Sequence, residues 1–325
     1  MTRATLLPPR PHSAGLTLMV EEKIRRADDV VSLRLVDPGG HRLPDWAPGA
    51  HIDLLLPGGL TRQYSLCGDR WDPLAYEVAV LRERHGRGGS AYIHDRLQPG
   101  DRLDIGGPRN NFHLVPADRY LFIAGGIGIT PLIPMIAQAS LLRIPWMLLY
   151  GGRTRTSMAY LDALSDNGDK VTARPQDEYG LLELDEALAA QPVGTKIYCC
   201  GPEPLLQAVQ ACAADRPVGH LRLERFVPKD QPPPLRTTGF EVQLGADGPV
   251  VRVAPGCSVL DALEAAGTNV LSSCRQGTCG TCETGVLAGE PDHRDSLLTD
   301  EERARSTSMF VCVSRSCSDR LVLDL

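Results

Sequence analysis

Cys274-Arg-Gln-Gly-Thr-Cys279-Gly-Thr-Cys282, followed by Cys312 after a gap of 29 residues, decides how the last quarter of the sequence is read. The spacing C-x4-C-x2-C…C is that of a plant-type [2Fe–2S] site. Three thiolates must wrap one loop around the cluster, and the fourth arrives from a distant strand. Small residues, Gly277, Thr278, Gly280 and Thr281, let the backbone close in and turn its N–H groups toward sulfur, which tunes the potential. Structural zinc usually takes paired C-x2-C knuckles, and one is present. Plain structural cysteines leave the interleaved glycines unexplained. Cys274, Cys279, Cys282 and Cys312 are therefore the expected ligands. Cys317, five residues further on, reads as a bystander thiol.

Upstream of this loop, residues 228–238 (PKDQPPPLRTT) hold a triple proline with polar flanks, the composition of an extended, semi-rigid spacer. A domain boundary is expected there, leaving residues 239–325 as a small α+β domain. A second boundary falls near residues 114–118. Before it, short alternating segments (Val30–Leu35, His51–Leu56, Thr61–Leu66, Tyr76–Arg82, Arg102–Ile105) predict an antiparallel β-barrel or sandwich over 15–115. After it, Tyr120–Ala124, Trp146–Tyr150 and Lys196–Cys200 alternate with helical stretches, which predicts an α/β domain with a parallel sheet over 116–227. The fold class is multidomain, and residues 1–14 read as a leader into the first strand.

Composition narrows the function. With 34 Lys and Arg against 40 Asp and Glu, the net charge of −6 lacks the basic face of a nucleic-acid binder. No run of about 18 apolar residues predicts a membrane span, and the N-terminus lacks the pattern of a signal peptide. Ten cysteines, four of them in ligand spacing, point to a reducing, cytoplasmic setting rather than a disulfide scaffold.

Two further motifs carry chemistry. Leu121-Phe-Ile-Ala-Gly125-Gly126-Ile-Gly128-Ile-Thr130-Pro131 runs from strand through turn into helix. Gly125, Gly126 and Gly128 let the backbone approach a pyrophosphate, and Pro131 suits the first helical turn, whose N–H groups bind the anion. Ligands of such sheets sit beyond the carboxyl ends of strands. Arg153 (in Tyr150-Gly-Gly-Arg153-Thr154) and Cys200-Gly201-Pro202 lie at such ends. Arg153 is a candidate for the ribose or a phosphate, which leaves NADH against NADPH open. Arg155 reads as a solvated loop residue and Cys199 as a buried strand residue. In the barrel, Arg62-Gln63-Tyr64-Ser65-Leu66 offers a cation, an aromatic face and a hydroxyl to an isoalloxazine. Val78-Ala79-Val80 and Arg82 follow, and then Gly86-Arg87-Gly88-Gly89-Ser90, a phosphate cradle of exposed N–H groups, a hydroxyl and an arginine.

These residues resemble the ferredoxin-NADP reductase superfamily, and more closely the phthalate dioxygenase reductase family, which includes reductase components of vanillate demethylases. The resemblance covers residues 15 to 325. It rests on Arg62, Tyr64 and Ser65, on Gly86 to Ser90, on Gly125 to Pro131, on Cys200 to Pro202 and on the four cluster cysteines. It implies a flavin barrel, a pyridine-nucleotide domain and a β-grasp ferredoxin domain, in that order. It implies FMN rather than FAD, with Arg82 and Ser90 near its phosphate, and an aromatic beside the flavin, for which Phe226 in Leu223-Glu-Arg-Phe226 is the candidate. NADH is the implied donor, a Rieske-type oxygenase component the implied acceptor, and a monomer the implied state. Electrons would pass from NADH through FMN to the cluster, with Ser65 bonded to the flavin's reactive edge and Thr130 and Cys200 positioning the nicotinamide. His85, His94 and His293 read as surface residues. The alternatives are an FAD reductase serving another acceptor, a sensor with a vestigial nucleotide domain, and a reductase acting on a small molecule.

Overall fold

Strands whose side chains alternate between core and solvent build the first sheet in a computed structural model that describes residues 15–325. The expected leader, 1–14, lies outside the described residues. β1 (Leu16–Ala27), β2 (Val30–Val36), β3 (Ala50–Leu56), β4 (Leu60–Ser65), β5 (Ala75–Leu81) and β6 (Arg102–Asn110) pair antiparallel in the order β4-β3-β6-β1-β2-β5. A bridge between Leu66 and Val78 joins the end of β4 to β5, so the outer strands meet and the sheet closes as a barrel. Leu18, Leu33, Leu35, Ile52, Leu54 and Val78 fill its interior. Burial of each contributes about 1.5–3 kcal/mol.

β7 (Tyr120–Gly125), β8 (Trp146–Gly152), β9 (Val171–Pro175), β10 (Lys196–Cys200) and β11 (Leu221–Glu224) form a parallel sheet, ordered β11-β10-β7-β8-β9. The two faces of β7 separate cleanly. Phe122 and Ala124 pack with helix Leu132–Leu141, while Leu121 and Ile123 pack with helices Leu184–Ala189 and Glu203–Cys212. From β7 the chain runs outward through β8 and β9, then crosses to β10 on the other side. The strand order reverses between β7 and β10, and a crevice at such a reversal is where open α/β sheets bind ligands.

The chain divides into two compact units, the first ending at Glu224 and the second spanning Arg225–Leu325. In the second, β12 (Phe240–Leu244), β13 (Val250–Val253), β14 (Glu283–Ala288), β16 (Ser308–Phe310) and β18 (Arg320–Leu323) form a mixed sheet, and β15 (Pro291–Asp292) pairs with β17 (Arg315–Ser316). Helix Val259–Ala265 buries Val259, Leu260 and Leu263 against this sheet. Its first turn is capped by Ser258, whose Oγ accepts from Asp261 N–H. The proline segment is held to this unit by three hydrogen bonds: Lys229 N–H donates to Ser296 Oγ (2.9 Å), Arg294 Nη2 to the Pro232 carbonyl (2.5 Å) and Leu235 N–H to Asp292 Oδ2 (3.1 Å).

Candidate functional site

Three clusters of residues carry the candidate chemistry. In the second unit, Cys274, Cys279 and Cys282 lie on the loop between helix Val259–Ala265 and β14, and Cys312 follows β16. The thiols touch as a chain: Cys279 meets Cys274, Cys274 meets Cys312, and Cys312 meets Cys282. Hydrogen bonds from Cys279 and Cys312 hold the Cys274 thiol below its ordinary value, and one from Cys312 does the same for Cys282. Among the described residues, no three Cys, His, Asp or Glu side chains gather around a point that would hold a single metal ion.

The loop turns donors toward sulfur. Gln276 N–H donates to Cys274 Sγ (3.3 Å) and Thr281 N–H to Cys279 Sγ (3.4 Å), and Thr281 Oγ1 lies 3.1 Å from the same sulfur. Donors placed in this way favour thiolate over thiol. Gly277 (φ +68°) has no room for a side chain, because a Cβ would lie 2.7 Å from Val313 Cγ2 and 3.0 Å from Asp295 Cα. Four sulfurs in mutual contact, backbone donors and a close-fitting glycine loop suit a [2Fe–2S] cluster. Cys317 lies just beyond β17, its N–H bonded to the Glu290 carbonyl.

At the sheet reversal the two nucleotide motifs lie face to face. A Cβ on Gly128 would collide with the Cys200 carbonyl, and one on Gly125 would lie 2.7 Å from Leu205 and from Pro202. Gly126 adopts φ +54°, and its carbonyl accepts from the buried Tyr150 hydroxyl (3.2 Å). Residues 126–129 form a 3-10 turn before helix Leu132–Leu141, so Pro131 is the cap residue rather than within the first turn. Thr130 is buried and its Oγ1 donates to the Ile127 carbonyl (3.0 Å). Arg153 is exposed. Arg155 pairs with Glu178 at 3.2 and 3.0 Å, and Cys199 is buried.

Glu224, at the end of β11, enters this site without having been assigned a role from the sequence. Cys200 Sγ lies 3.8 Å from its Oε2. Burial, and then the neighbouring carboxyl, push the Cys200 thiol well up, and burial lifts Glu224 to about 8. Both are neutral at pH 7. The glutamate stands in the stretch quoted for Phe226, but only the pairing of β10 with β11 brings it opposite Cys200. Phe226 itself follows β11 in the second unit and is 44% exposed, so it is not part of a buried strand.

In the barrel, Arg62 lies along Gly89: a Cβ there would stand 2.6 Å from Arg62 Cγ. Its Nη1 donates to the Thr61 carbonyl (2.8 Å) and its Nη2 to the Arg87 carbonyl (3.1 Å). Burial, with Arg87 nearby, lowers its pKa. Gly88 (φ +85°) opens helix Gly89–Asp95, and buried Ser90 accepts from Glu83 N–H (3.0 Å). Strand β4 and the G-R-G-G-S turn thus share one site. Arg82 makes a bidentate ion pair with Asp95 (2.5 and 2.8 Å), and Arg62 is a cation against the turn, which itself carries Arg87. Gln63 donates to Asp53 Oδ1 (3.1 Å), Ser65 is buried, and burial raises the Tyr64 phenol. Val78, Ala79 and Val80 are buried in β5.

The histidines divide. His85 is exposed, and His94 Nε2 lies 3.0 Å from the Val80 carbonyl. His293 is not a surface residue: it is half-buried, its ring nitrogens are enclosed, and burial lowers its pKa.

The 2Fe-2S iron-sulfur cluster binding domain family matches residues 245–317, and the dimethylamine monooxygenase subunit DmmA-like N-terminal domain family matches residues 110–222. The chain is 43% identical to phenoxybenzoate dioxygenase subunit beta of Ectopseudomonas oleovorans, over 96% of this chain and 98% of that one. It is 35% identical to phthalate dioxygenase reductase of Burkholderia cepacia, over 95% and 97%. A solved structure titled as phthalate dioxygenase reductase, modular for electron transfer from pyridine nucleotides to [2Fe-2S], superposes with a TM-score of 0.70 at 34% identity, over 96% and 98%. An intact type IV self-sufficient cytochrome P450 monooxygenase superposes with a TM-score of 0.89 at 44% identity, over 96% of this chain. The chain spans about two fifths of that one (41%). The protein belongs to the phthalate dioxygenase reductase family, electron-transfer oxidoreductases with a plant-type [2Fe–2S] domain that serve an oxygenase.

Proposed function

We propose that this protein is the reductase component of a Rieske-type oxygenase, acting as a monomer in the cytoplasm, with FMN in the barrel, NADH at the β7–β10 crevice and the cluster as exit. FMN, when bound, accepts the two electrons of a nicotinamide and releases them singly, as a [2Fe–2S] cluster requires. The single observation that carries the reading is the quartet of touching thiols with backbone donors aimed at sulfur, in a chain whose other unit holds two glycine cradles. Arg62 and the Gly88–Ser90 turn hold the flavin phosphate, and Gln63, Tyr64, Ser65 and Val78–Val80 line its ring. Gly125, Gly126, Gly128 and the turn up to Pro131 admit the dinucleotide, with Arg153 at its adenosine end. Thr130, Cys200, Gly201 and Pro202, with Glu224, hold the nicotinamide. The domains serving these roles are 15–115, 116–227 and 239–325.

Acid extraction and chromatography of the flavin test the FMN assignment, and kcat/KM for NADH against NADPH tests the donor. Release of FAD, or preference for NADPH, contradicts it. The close match to a self-sufficient P450 favours a second reading, in which a haem monooxygenase is the acceptor. Reduction of a purified Rieske oxygenase and of a P450 domain, side by side, separates the two.

A further inference from the structure

One polar network in the first unit lies outside the cofactor motifs. Tyr160 precedes the short helix Leu161–Ser165 with φ +61° and ψ 14°, a conformation that is strained for an aromatic residue. Its hydroxyl donates to Glu77 Oε1 on β5 (3.0 Å) and lies 3.3 Å from Cys67 Sγ. Cys67 stands two residues beyond Ser65, and its N–H donates to the Glu77 carbonyl (2.9 Å). Arg26 of β1 completes the set: its Nη2 donates to the same Glu77 oxygen (3.0 Å), and its guanidinium lies 5.3 Å from the centre of the Tyr160 ring.

Around these groups Ala159 packs with Val30, Cys67 and Ala79 of the barrel. The other side of the same segment is tied to the glycine turn, because the Tyr150 hydroxyl lies between the Ala159 carbonyl (3.1 Å) and the Gly126 carbonyl (3.2 Å). A continuous set of contacts therefore runs from Gly126 through Tyr150, Ala159 and Tyr160 to Cys67 and the end of β4. Burial pushes the Cys67 thiol up to about 12, so it stays neutral at working pH.

We propose that Tyr160 is a positioning residue for electron delivery from the nicotinamide: its hydroxyl, held between Cys67 and Glu77, fixes the distance between the glycine turn and strand β4. This rests on the reading of those two elements as the nucleotide and flavin sites. A misplacement of about 1 Å between reacting groups costs on the order of a hundredfold in rate, so a residue that sets this spacing acts on the rate rather than on either binding step.

The test uses the FMN-loaded, cluster-containing protein. Tyr160→Phe is expected to lower the limiting rate of flavin reduction by NADH by about tenfold or more, with KM for NADH and flavin content unchanged. Hydrogen–deuterium exchange is expected to quicken in the peptide covering Ala159–Ser165. Glu77→Gln keeps an acceptor for the hydroxyl and is expected to retain most of the rate, whereas Glu77→Ala matches Tyr160→Phe. A wild-type rate in Tyr160→Phe overturns the proposal, as does a loss of rate that follows loss of flavin or a rise in KM. If NADH fails to reduce the flavin of the wild-type protein, the functional reading itself is wrong.

Discussion

At Gly128 the reason for a glycine is visible in one contact: any Cβ meets the Cys200 carbonyl, which belongs to backbone and cannot swing aside. Gly128→Ala is expected to cost about 1–3 kcal/mol of stability and to raise KM for NADH. A wild-type denaturation midpoint together with a wild-type KM would show that the close approach is not needed. At Glu224 the sign of the pH effect follows from burial. The folded carboxyl titrates near 8, above its ordinary value of 4.5. The folded state therefore binds the extra proton, and its stabilising effect is complete below about pH 4.5 and lost as pH rises through 8. The thermal midpoint should fall between pH 5 and 9 by more in the wild type than in Glu224→Gln, and equal slopes would contradict the assignment.

Among elements, what could be read from the sequence depended on how far local pattern determines structure. That the four cysteines come together was legible because metal-ligand spacing is a local constraint, and β2 to β8 and β10 because they are apolar or alternate. β9 (VTARP) and β11 (LRLE) are short and half-buried, so their mixed polarity hides them. The second half of β1, EEKIRRA, is largely exposed and polar, and only pairing with β2 makes it strand. The pairing of Arg82 with Asp95, thirteen residues on, declares itself only in three dimensions. The proline segment is likewise decided by tertiary bonds. Lys229, Pro232 and Leu235 are held to residues 292–296, whereas Phe226 and Val227, just after Arg225, are 44% and 68% exposed. Brief trypsin treatment of the native protein is expected to cut after Arg225 well before Lys229 or Arg236. Equal early cutting at Lys229 would show that the strap is loose in solution.

For the whole molecule, charge and redox role coincide. Residues 239–325 hold 13 acidic and seven basic side chains and no lysine, so they carry the full net charge of −6. Transfer from the cluster to a basic protein acceptor should therefore slow as salt is raised over 0.05–0.5 M, since screening shortens the reach of this field from roughly 14 Å to a few ångströms. Transfer to a ferricyanide-type anion should not slow. Among the described residues no helix is long and apolar enough to cross a membrane. The most direct test of the relay is cytochrome c reduction with NADH by the wild type and by Cys279→Ser. The cluster as the exit toward a protein acceptor predicts that the substitution abolishes cytochrome c reduction and spares NADH-dependent ferricyanide reduction at the flavin. Cytochrome c reduction that survives loss of the cluster would place the exit at the flavin and contradict the relay.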